Sequence, residues 1–67
     1  MIRLVYIGEN ARRQSVYDIT DGAEIIGQIC DRGKRGYRVF FGPSYADFFN
    51  IPQMMRYIRA CIKAETP

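Results

Sequence analysis

Asp21-Gly22 stands between two runs of β-forming residues, Ser15 to Thr20 and Ala23 to Cys30. An Asp-Gly pair in that setting is a strong hairpin signal, because a type I′ turn needs positive φ at both central residues. Two neighbouring antiparallel strands follow from it, and 67 residues leave room for one core rather than two. A chain this short buries only about 60% of the surface that its unfolded form exposes, so its stability margin is thin. A hydrophobic fraction of 48%, with five tyrosines and four phenylalanines, is still enough for a folded body and argues against disorder. Residues 1–67 are therefore read as a single compact domain.

The remaining segments extend the hairpin on both sides. Ile2 to Ile7 is a continuous β-friendly run stopped by Gly8, and Asn10 to Gln14 is a polar connection carrying Arg12 and Arg13. Strict alternation along Ala23 to Cys30 places Ile25, Gly27 and Ile29 on one face and Glu24, Ile26, Gln28 and Cys30 on the other. Asp31 to Gly36 is a glycine-containing loop, and Tyr37 to Phe41 is an aromatic and β-branched strand. Gly42-Pro43-Ser44 is expected to end the sheet, with Ser44 and Asp47 capping one helical turn through Phe49.

Asn50 occupies a helix-cap position, followed by Pro52 in the first turn and Gln53 at the reciprocal capping position. The predicted helix runs from Ile51 to about Ala64. Ile51, Met54, Met55, Ile58, Cys61 and Ile62 recur at three- and four-residue spacing on one side, and Arg56, Arg59 and Lys63 line the other. The fold class is α+β: an antiparallel three- to four-stranded β-sheet, mostly a meander, with one C-terminal α-helix packed on one face. Over Ser15 to Ala64 this order is similar in outline to the DNA-binding modules at the amino end of some phage and transposon integrases. The likeness is one of arrangement without a shared motif.

Charge is concentrated between Asp31 and Arg38, where Arg32, Lys34, Arg35 and Arg38 face a single acid. That segment alone accounts for the net charge of +3, since the other residues carry six of each sign. A basic turn on a neutral body points to an anionic partner, and nucleic acid is the commonest one. Arg12 and Arg13 join the cluster if their loop lies at the same end of the sheet, while Tyr37 and Phe40 are aromatic groups that can stack on bases and Gln28 is a group that can touch their edges. Arg35-Gly36-Tyr37 starts like the ribonucleoprotein motif but continues Arg38-Val39-Phe40-Phe41-Gly42, which departs from it. The loop also lacks phosphate-loop spacing and a following helix.

Catalysis is not expected. The sequence has no histidine, Cys30 and Cys61 have no imidazole to activate them, and Asp18, Asp21 and Glu24 gather around a tight turn where such residues are ordinarily solvated. The two cysteines lie 31 positions apart without metal-binding spacing and are read as reduced thiols, so no metal or cofactor is expected. Met1 to Ile7 is too short for a signal-peptide core and no stretch nears the roughly 18 apolar residues of a membrane span, which implies a cytoplasmic protein without a membrane partner.

The expected function is a small non-catalytic nucleic-acid-binding module, DNA or RNA, contacting phosphates through Arg32, Lys34, Arg35 and Arg38 with help from Tyr37, Arg12 and Arg13. The alternative is a protein-interaction module, such as a small phage or mobile-element regulator or inhibitor. It would dock an acidic surface of a host protein, or a second copy of itself, through an apolar patch of Ile26 and Phe40 or through an edge strand.

Overall fold

The structure is a computed structural model that describes residues 1–65; the last two residues of the proposed 1–67 domain lie outside the described residues. Five strands succeed one another: β1 (Ile2–Glu9), β2 (Ser15–Asp21), β3 (Glu24–Asp31), β4 (Tyr37–Phe41) and β5 (Ser44–Phe48), with α1 (Ile51–Glu65) after them. Their order in the sheet is the order in the chain and every neighbouring pair is antiparallel, so the sheet is a meander with β1 and β5 at its edges. No helix among the described residues is long and apolar enough to cross a membrane.

The fifth strand replaces the capped turn expected after Phe41. Gly42 has φ +59 and Pro43 carries a ring-fixed φ, so together they make a two-residue hairpin loop closed by Phe41 opposite Ser44. Beyond it the side chains alternate. Ala46 and Phe48 are half-buried, while Tyr45 and Asp47 are exposed, which is the period of a strand rather than of a helical turn.

The first hairpin also differs in detail. Asp21 pairs with Glu24, so the loop is Gly22-Ala23, and only Gly22 has positive φ, the pattern of a type II′ turn instead of type I′. Just beyond the turn the register shifts: Ile19 faces Gly27 but Thr20 faces Ile25, leaving Ile26 as the extra residue of a β-bulge. The bulge overrides the alternation expected along β3. Ile26 packs against the core and Ile25 is 62% exposed. Ile26 therefore does not join Phe40 in an open apolar patch.

The core lies between the sheet and α1. Ile19, Ile29 and Val39 from the three central strands meet Met54 and Ile58 from the helix, and all five are fully buried. Helix formation follows from the expected cap: the Asn50 side-chain oxygen accepts the Gln53 backbone N–H at 2.9 Å, satisfying one donor of the first turn. Tyr57, which the apolar spacing had not singled out, closes one side of the core with its ring 5.0 Å from Phe48 and 6.2 Å from Phe41. Cys61 lies on the helix and Cys30 on the opposite side of the sheet; both are free thiols.

Candidate nucleic-acid interface

With α1 on one face, the other face of the sheet has no covering layer. Register places Asp18, Gln28, Arg38, Phe40, Tyr45 and Asp47 there, since these residues alternate with the core residues of their strands. At one end of this face the β1–β2 and β3–β4 loops rise side by side.

The β1–β2 loop is organised by Asn10. Its side-chain oxygen accepts the backbone N–H groups of Arg12 at 2.9 Å and Gln14 at 3.1 Å, its backbone N–H donates to the Gln14 carbonyl, and its carbonyl accepts from Arg13. Arg13 takes the left-handed conformation at φ +60, alone among the described non-glycine residues. The loop leans over Cys30, whose thiol donates to the Gln14 side-chain oxygen at 3.2 Å and lies 3.5 Å from the Asn10 side-chain amide. Arg12 and Arg13 are left exposed above it.

The β3–β4 loop is a single 3₁₀ turn, Gly33–Arg35. Asp31 starts it by accepting the Gly33 N–H at 2.9 Å, and the Arg32 N–H donates to the Gly36 carbonyl at 2.8 Å. Gly36 closes it at φ +83 and ψ −153, a region open almost only to glycine, and a Cβ there would collide with the Phe48 carbonyl. Lys34 and Arg35 project from this turn and make no ion pair among the described residues.

Arg32 and Arg38 behave differently from the free-standing cations expected. Arg38 donates two hydrogen bonds to Asp47, at 2.8 and 3.1 Å, and Arg32 folds back to within 3.4 Å of the same carboxylate. The Arg38 hydrogen bonds, reinforced by the charges of Arg32 and Arg38, hold the Asp47 carboxyl below its ordinary value of 3.8 against the opposing effect of desolvation; Arg38 is correspondingly raised. One anion shared between two guanidinium groups leaves one net positive charge on this trio. The Arg38 guanidinium also sits 4.2 Å from the centre of the Tyr45 ring, which orients both groups. The buried Nε of Arg32 has no hydrogen-bond partner within the protein.

These parts enclose one hollow of about 330 Å³, with Arg12, Arg32, Arg35 and Arg38 around it and Gln28, Cys30 and Phe40 beneath. Four of the seven basic or aromatic residues expected at the site thus come together. Arg13 and Lys34 are exposed on the same two loops without lining the hollow. Tyr37 is not brought to it: it is half-buried against the core on the helix side, because strand alternation sends it away from Arg38 and Phe40. Arg56 and Arg59 are exposed on the helix, which lies on the other side of the sheet.

Asn10, Tyr45 and Asp47 complete the site and were not foreseen. Asn10 has a recognisable cause, a side chain able to build a turn around its own backbone. Tyr45 and Asp47 become visible only once residues 44 to 48 are read as a strand. Among the described residues no three His, Cys, Asp or Glu side chains stand close enough to hold a metal ion. The chain matches no known protein family, no curated protein and no solved structure.

Proposed function

We propose that the protein is a non-catalytic nucleic-acid-binding module, located in the cytoplasm, that holds phosphates at the end of the open sheet face. The observation that carries this reading is the meeting of two loops that puts four arginines around one hollow, with Asp47 as the counter-charge of two of them, Arg32 and Arg38. Arg12, Arg13, Lys34 and Arg35 are the cations free to meet phosphates, and guanidinium groups offer forked donors suited to that contact. Arg32 and Arg38, tied to Asp47, form a fixed group on the β4 and β5 side of the hollow.

Binding of this kind weakens linearly on a log–log plot against salt, by about 0.9 per phosphate neutralised on duplex DNA and about 0.7 on a single strand. Replacing Lys34 and Arg35 together with Ala lowers that slope by one to two phosphate equivalents. An unchanged slope in an anisotropy titration of labelled oligonucleotide rules the β3–β4 loop out as the contact.

A second reading, protein docking, is favoured by the β1 edge, an eight-residue strand with Val5, Tyr6 and Ile7 exposed. Such an edge can accept another strand, from a partner or a second copy. Sedimentation analysis of the wild type beside Val5→Lys reads the self-pairing form directly: a dimer abolished by the lysine supports it, and a monomer in both cases removes it.

A further inference from the structure

We propose that the nucleic acid held here is single-stranded, with a base stacked on Phe40 at the floor of the hollow. This inference deepens the nucleic-acid reading and rests on it. Phe40 and Tyr45 point to the face that α1 leaves open, 37% and 57% exposed, with ring centres 6.1 Å apart. Neither ring belongs to the core. The Tyr45 ring already has Arg38 against it at 4.2 Å, and Arg38 is itself fixed by two hydrogen bonds to Asp47. Phe40, by contrast, turns part of its surface to the hollow.

Around that ring are the other groups an unpaired nucleotide requires. Gln28 lies directly opposite Phe40 in the β3–β4 register, and its side-chain amide donates to Asp18 at 3.2 Å, a paired arrangement able to meet a base edge. Arg12 and Arg35 line the same hollow as Phe40, one on each loop, where they can meet the backbone of a strand whose base is on the ring. A hollow of about 330 Å³ admits one nucleotide, whereas a duplex is too wide to enter and keeps the faces of its bases stacked on one another. Positive rims beside exposed aromatic rings are the combination by which sheet surfaces hold unpaired strands.

The test measures anisotropy of three labelled ligands at two salt concentrations: a strand of about 12 nucleotides, within the footprint usual for small sheet modules, its blunt duplex, and a strand of the same length built entirely of abasic sites. The wild type is expected to bind the normal strand at least tenfold more tightly than either of the others. Phe40→Leu, which keeps an apolar group on an exposed position, is expected to lose roughly tenfold on the normal strand, with no change on the abasic strand and an unchanged salt slope. Arg35→Ala is expected to lower the slope on all three.

Equal binding of duplex and single strand, or of normal and abasic strands, overturns the proposal even if Phe40→Leu fails to fold, because the wild type alone supplies those comparisons. Loss of the slope in Arg35→Ala would then leave the phosphate reading standing without base stacking. If the wild type binds none of the three ligands, both readings fall together.

Discussion

Single residues decide whether the two loops hold their shape. Asn10→Ala removes the acceptor for two backbone N–H groups and the partner of Gln14, so it is expected to cost about 1–2 kcal/mol in urea denaturation and to weaken oligonucleotide binding through Arg12. Gly36→Ala combines a forbidden backbone region with a collision at the Phe48 carbonyl, for an expected loss of about 3 kcal/mol in the same measurement. Asp47 makes a statement about pH. Its carboxyl titrates lower in the folded protein than in the unfolded chain, so its contribution is fully present above pH 3.8 and disappears as pH falls through the lower folded midpoint. A carboxyl-carbon NMR titration is expected to place Asp47 below 3.8, and Asp47→Asn at neutral pH is expected to bind oligonucleotides severalfold more tightly at low salt, because Arg32 and Arg38 lose their shared anion.

At the scale of elements, α1 separates basic residues that the charge pattern alone cannot sort. Arg56, Arg59 and Lys63 lie on a helix packed against the far side of the sheet, and their joint replacement by Ala is expected to leave the salt slope for oligonucleotide unchanged while Lys34 and Arg35 alter it. The helix itself, its Asn50 cap and the first four strands were all legible in residue order, because each rests on a local pattern of caps, turns or periodicity, whereas the nearness of the two basic loops could be given only as a condition on the strand order. Two features were not. Residues 44 to 48 carry a Ser-x-x-Asp spacing that also fits a helix start, and only pairing with β4 decides in favour of a strand. Ile26 follows strict alternation on paper, but one unpaired position at the bulge exchanges its side with Ile25. Long-range pairing energy settles both, and no local signal reports it.

The whole molecule is two layers with one small core. It exposes 5053 Å², against about 4,400 Å² expected for a monomeric protein of 7.8 kDa, as follows when a sheet is covered on one side alone. At roughly 0.05–0.15 kcal/mol per residue, a chain of this length has about 3–10 kcal/mol of stability in total. Ile58→Ala, which empties a fully buried site between α1 and the central strands, is expected to remove about 3–4 kcal/mol of it and to shift the urea midpoint by a third or more. Circular dichroism through the transition checks this directly. Because α1 occupies just one side, the residues that would greet a ligand and those that hold the chain together are almost disjoint sets. Apart from the Arg38–Asp47 pair, the outward side of β4 and β5 can be rewritten, by evolution or by an experimenter, while the folded state scarcely notices.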